Sequence, residues 1–105
     1  MMEKLFGLKG KTLSTLARAK KFDVLKVDEK KILVVPQSTN FERPISKNRI
    51  EWAWNELRTK GELTQQEIFL SGTVNSAYIA TILTQLLGVT YKTKPVRLYY
   101  NKPED

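Results

Sequence analysis

From Ile68 to Tyr91 the chain carries no charged side chain, although 28% of all its residues are Asp, Glu, Lys or Arg. A stretch this long and this apolar has to be shielded from water by something. A bilayer does not fit. Ser71, Gly72, Thr73, Asn75, Ser76, Thr81, Thr84 and Gln85 interrupt it, and no continuous apolar run approaches the ~20 residues needed to span. The stretch therefore reads as the interior of a globular domain, split by a turn at Ser71-Gly72-Thr73-Val74. The 105 residues make one ordinary domain, with 41% hydrophobic residues to fill its core. No repeat, low-complexity segment or linker divides it, so we expect a single α+β domain over residues 11–100, a basic N-terminal arm at 1–10 and a short tail at 101–105.

Local signals place the elements. Gly7 and Gly10 bracket Leu8 and Lys9 and predict a loop or a short turn of helix; Lys11 to Ala19, with Leu13 and Leu16 three apart, predicts a brief helix. Phe22 to Asp28 is rich in β-branched residues and predicts a strand, although its alternation is imperfect. Asp28-Glu29-Lys30-Lys31 connects it to a second strand, Ile32 to Val35, in a hairpin, and Arg43 to Ile45 predicts a third short strand. Ser46 is an N-cap for a helix over Lys47 to Lys60, in which Ile50, Ala53, Trp54 and Leu57 form a core-facing stripe and Gly61 is the stop. Trp52 lies off that stripe, and Glu56 and Lys60 form an i, i+4 pair. Thr64 and Glu67 fit a capping box for a short helix to Leu70. Asn75 then caps a helix over Ser76 to Leu87, ended by Gly88. Val89 to Tyr100, interrupted at Pro95, reads either as a hairpin or as one bent edge strand. Trp54, Leu57, Ile79, Leu83 and Leu86 should share a core with Val24 or Val34.

Composition removes several chemistries. The chain has no cysteine, so disulfides, thiolate metal sites and thiol catalysis are excluded, and a reducing, cytoplasmic setting fits. It has no histidine, which excludes Ser-His-Asp and Cys-His arrangements and makes zinc a poor expectation. A carboxylate site for magnesium or calcium stays open. Glu29-Lys30-Lys31 matches the bare Glu-x-Lys of metal-dependent nucleases, with Asp23 or Asp28 as the accompanying acid, but such residues are ordinary in a charged hairpin turn. Gly10-Lys11-Thr12 ends like a phosphate loop, yet Gly7 stands three residues before Gly10 rather than five and no strand precedes it. We expect no cofactor, no metal and no catalysed reaction. The N-terminal segment is basic, but Leu5, Phe6, Leu8, Leu13 and Leu16 never form the continuous core of a signal peptide.

Charge gives the functional lead. The formal net charge is +7, and most of the excess lies in residues 1–21, where Lys4, Lys9, Lys11, Arg18, Lys20 and Lys21 face one acid, Glu3. A second basic cluster, Lys92, Lys94, Arg97 and Lys102, has no acid among residues 92–102. Such an excess favours polyanions, nucleic acid first. From Lys47 to Tyr100 the order helix, short capped helix, turn, helix, β element is that of a winged helix-turn-helix, whose third helix enters the major groove while basic wing residues touch phosphate. Here that helix offers Asn75, Thr81 and Gln85 as base contacts but no Arg or Lys, and Lys92, Lys94 and Arg97 would sit on the wing. With Lys9, Lys11, Arg18, Lys20 and Lys21 from the first half, these residues form the expected nucleic-acid surface, for duplex DNA before single strands. Tyr91, Tyr99 and Tyr100 beside the same cations could instead stack on unpaired bases, or form a strand edge that pairs with a protein partner or a second copy. A protein-interaction module without nucleic-acid binding is the alternative.

Phe22-Asp23-Val24, Val34-Val35-Pro36-Gln37-Ser38, Arg43-Pro44-Ile45-Ser46, Gly61-Glu62-Leu63-Thr64 and Asn75-Ser76-Ala77-Tyr78 resemble a small domain of unassigned function found in prokaryotic proteins, sometimes near restriction-type nuclease modules. The resemblance covers residues 12–100. It rests on turns, caps and core positions, so it implies a shared fold and DNA association as a theme, and supplies no catalytic residue.

Overall fold

The computed structural model describes residues 2–103. Its elements run α1 (Met2–Phe6), β1 (Thr12–Ser14), β2 (Lys21–Val27), β3 (Lys31–Pro36), β4 (Arg43–Ser46), α2 (Lys47–Lys60), β5 (Glu62–Thr64), α3 (Gln65–Leu70), α4 (Ser76–Leu83), β6 (Val89–Lys92) and β7 (Arg97–Tyr100). The class is α+β. The first half builds an antiparallel sheet in the order β1-β2-β3-β4, and the second a three-stranded sheet in the order β5-β7-β6. One core cluster joins both, with Phe22, Val24, Ile32, Val34 and Ile45 from the first sheet meeting Ile50, Leu57, Ile79, Leu83 and Leu98.

The imperfect alternation of β2 has a physical cause. Val24 pairs with Val34 but Lys26 pairs with Leu33, so Leu25 is the extra residue of a bulge. The slip returns Val27 to the buried face and leaves Leu25 exposed. Asp28 closes the β2–β3 turn by accepting the backbone N–H groups of Lys30 and Lys31 at 2.7 and 2.9 Å.

Helix α2 follows its local code. Ser46 Oγ accepts from Asn48 N, Gly61 takes the left-handed conformation (φ 83°), and Ile50, Ala53 and Leu57 are buried. Trp54 is only half-buried, edge-on to Tyr100 with ring centroids 5.4 Å apart, and Trp52 is 38% exposed. Lys60 Nζ lies 3.3 Å from Glu56 and 3.6 Å from Glu67. Both halves of the capping box of α3 are made: Thr64 Oγ1 accepts from Glu67 N, and Glu67 Oε1 accepts from Thr64 N.

Four expectations are corrected. Residues 2–10 are not a detached arm: Leu5 and Leu8 are buried in the core, and the ammonium of buried Lys47 sits 4.9 Å from the Phe6 ring centroid while donating to the Asp28 carbonyl at 2.6 Å. Met1 lies outside the described residues. Lys11 to Ala19 is not a helix. Thr12–Ser14 pair with Lys21–Asp23, and Thr15 closes the hairpin tip by donating its N–H to Lys20 O and accepting from Lys20 N. Leu13 and Leu16 both pack on the core from this hairpin, which is why their spacing imitates a helix. The last helix stops at Leu83, not Leu87. Thr84 Oγ1 donates to Thr81 O, and Gln85, Leu86 and Val89 donate to Ile82, Leu83 and Leu86, which tightens the chain into i→i−3 turns. Finally, of the two readings of the C-terminal β element the hairpin is the one formed, but its second strand, β7, lies between β5 and β6 rather than at an edge. Tyr99 and Tyr100 thus occupy a central strand paired on both sides, while Tyr91 lies on β6, at an edge of that sheet.

Candidate nucleic-acid interface

Cross-strand neighbours share a face of a sheet. Arg43 pairs with Val34, whose side chain is buried, so Arg43 lies on the core side of edge strand β4, while its place at the rim leaves it exposed. From there its guanidinium lies 5.9 Å from the ring centroid of Tyr78 on α4. On its other flank Tyr78 meets Phe22 of β2 edge-on, with centroids 5.0 Å apart. This stack fixes the first sheet against α4.

The β1–β2 tip folds into the same place. Arg18 and Lys20 from the tip, Arg43 and Tyr78 line a cavity of about 340 Å³ whose walls contain no carboxylate. Thr15, Ala17, Gln65, Val74 and Ala77 complete it. Ala17 also lines a second cavity of about 460 Å³, together with Pro95 and Val96. The tip of the first hairpin and the β6–β7 turn, in which Lys94 precedes Pro95, therefore border the same cleft. Among the described residues the ion pairs are Lys60 with Glu56 and Glu67, and Arg97 with Glu62. Arg18, Lys20, Lys21, Arg43, Lys92 and Lys94 belong to none of them.

The residues expected on this surface divide into three sets. Arg18, Lys20 and Lys21 gather at or beside the hairpin tip, and Lys92 and Lys94 lie at the β6–β7 turn, with Lys92 Nζ 5.6 Å from the Tyr99 ring centroid. Lys9 and Lys11 are exposed but lie at the other end of β1 from the tip, where Gly10 and Lys11 bond to Val24. Thr81, Gln85 and Arg97 are bonded elsewhere, and the Asn75 side-chain oxygen is buried. Thr81 is 1% exposed, donates its hydroxyl to Ala77 O at 2.9 Å, and shares a cavity with Ser14 and Leu16 of the first hairpin. Asn75 stands at the N-cap position of α4, but its φ and ψ of −96° and 22° are not extended; its side chain makes no capping bond and its Oδ1 is buried. Gln85 is half-buried and donates to Thr84 Oγ1. Arg97 Nη1 lies 2.6 Å from Glu62 Oε1 on the neighbouring strand β5. In this arrangement α4 cannot present Thr81 to a groove, because Thr81 is buried and its hydroxyl is bonded to Ala77 O.

Arg43 was missed from the sequence. The signal was present, since Ile45 points inward and Arg43 is two residues before it on the same strand.

The two acids expected to accompany the Glu-x-Lys pattern, Asp23 and Asp28, are held by local bonds. Asp23 accepts from Thr12 Oγ1 at 2.5 Å and Gln37 Nε2 at 3.1 Å, and these bonds, the hydroxyl's first, keep its carboxyl below the usual range. The N–H groups of Lys30 and Lys31 do the same for Asp28. Among the described residues no three Asp or Glu side chains gather to hold a metal ion, and no helix is long and apolar enough to cross a membrane. The chain matches no family model, and no curated protein or solved structure shows significant similarity to it.

Proposed function

We propose that the protein is a non-enzymatic, cytoplasmic nucleic-acid-binding module that engages duplex DNA along the seam between its two sheets. The observation that carries this reading is the gathering of Arg18, Lys20 and Arg43 around one carboxylate-free cavity, with the β6–β7 turn bordering a neighbouring cleft. Cations from both halves of the chain then act on one polyanion. The order α2-β5-α3-α4-β6-β7, with its sheet order β5-β7-β6, supports a winged-helix-like second half in which the β6–β7 turn is the wing. This reading departs from the usual docking geometry in one respect: Thr81 is buried and Gln85 half-buried, so contact runs through phosphates and carries little base readout.

The test is fluorescence anisotropy of a labelled duplex titrated with the protein over a range of salt. If Arg18, Lys20, Lys21, Arg43, Lys92 and Lys94 each neutralise a phosphate, log K falls against log salt with a slope of about −5. No binding at ~0.05 M salt overturns the proposal.

A second reading is favoured by a different observation. Phe69, Leu70 and Val74, on α3 and the turn after it, are 50%, 69% and 78% exposed. Such a patch suits a protein partner. Light scattering and co-purification test it; a strict monomer that retains no partner removes this reading.

A further inference from the structure

We infer that the cavity lined by Arg18, Lys20 and Arg43 is a site for a phosphate monoester, the 5′-phosphate at the end of a nucleic-acid strand. The inference rests on the nucleic-acid reading above and names the part of the ligand that this site takes. Three cationic residues line one cavity of about 340 Å³ with no carboxylate in the lining. An internal phosphodiester carries one charge and two unbridged oxygens, and its esters extend the backbone on both sides. On a duplex it can meet the rim of the cavity, but the strand continuing on both sides limits how far it enters. A terminal monoester carries nearly two charges at neutral pH and three unbridged oxygens, and it is tethered on one side only. It can enter the cavity and offer one oxygen to each cation.

The two arginine planes and the lysine point charge suit that geometry. Tyr78 is a positioning residue: its ring lies beneath the Arg43 guanidinium and is itself braced by Phe22. The β1–β2 tip is short and closed by both backbone and side-chain bonds of Thr15 to Lys20, so Arg18 and Lys20 project from a defined loop. Lys92 and Lys94 lie outside this cavity and would hold the internal backbone of the same duplex.

The experiment compares three ligands of one sequence on the full chain by anisotropy: a duplex with 5′-phosphate ends, the same duplex with 5′-hydroxyl ends, and a closed dumbbell without ends. A 5′-mononucleotide is included as competitor. The 5′-phosphate duplex should bind about tenfold tighter than the other two, the effect of one well-placed charge-assisted contact. Arg43→Gln and, independently, Lys20→Gln should abolish that preference, whereas Lys92→Gln should weaken all three ligands equally. Both cavity positions are exposed, and an unchanged thermal melt establishes that each variant is folded. Equal affinity for all three duplexes overturns the inference and leaves the nucleic-acid reading standing. Absence of binding to any duplex overturns both. Binding of the mononucleotide alone overturns the strand end as the source of the phosphate.

Discussion

Replacing Leu8 by Ala tests whether the N-terminal segment is part of the core or a detachable arm. Leu8 is 1% exposed and Leu5 is fully buried, although both precede every strand and sit among residues rich in glycine and lysine. Truncating a buried leucine removes its transfer free energy and leaves a cavity, together about 2–5 kcal/mol. A domain of this length has a total stability of about 5–15 kcal/mol. Leu8→Ala should therefore remove roughly a third of it and lower the urea midpoint in proportion, with the m-value unchanged because the surface exposed on unfolding is nearly the same. Urea titration followed by tryptophan fluorescence reads the effect, since Trp54 is half-buried against Tyr100. Lys9→Ala, one residue away and exposed, should change stability by no more than about 0.5 kcal/mol. A cost for Leu8→Ala below about 0.5 kcal/mol would refute the packing argument and restore the arm, and with it Lys9 as a mobile phosphate contact.

Thr64→Ala removes half of the capping box of α3 and should cost about 1 kcal/mol in thermal or chemical denaturation. The Thr64 N–H, first among its contacts, holds the Glu67 carboxyl below its ordinary value of 4.5. A carboxyl lowered on folding stabilises above its unfolded pKa, and that contribution is lost as pH falls through the folded one. The stability of the native chain should therefore decline more steeply below pH 4.5 than that of Glu67→Gln, measured as urea midpoint against pH. Gly88→Ala should be destabilising by roughly 1–3 kcal/mol, because φ is +89° and an added Cβ would stand 2.6 Å from the Asn101 carbonyl oxygen; an unchanged melting temperature would contradict this. Arg97→Gln should leave duplex affinity within about twofold, since Arg97 is spent on Glu62, while Lys92→Gln should weaken it several-fold at low salt.

What could be read from the sequence was what the chain encodes within one turn of itself. Ser46, the Ile50 to Leu57 stripe and Gly61 bound α2 without reference to any other element, and the Thr64 to Glu67 box did the same for α3. The missing pieces were set by distant partners. Thr12–Ser14 has only three residues and becomes a strand because β2 stands beside it. The last turn of α4 is diverted by the Thr84 hydroxyl, and Arg97 is taken by a glutamate 35 residues earlier. The same division governs the site. Read alone, residues 47–100 suggest a helix whose Thr81 and Gln85 look outward. In the fold Thr81 is buried with its hydroxyl bonded to Ala77 O, and the first hairpin braces Tyr78 with Phe22. That burial takes Thr81 out of any outward face, while the hairpin tip places Arg18 and Lys20 around one cavity with Arg43. The first half thus builds a basic surface of its own. On the proposed reading that basic surface acts together with Lys92 and Lys94 at the β6–β7 turn of the second half.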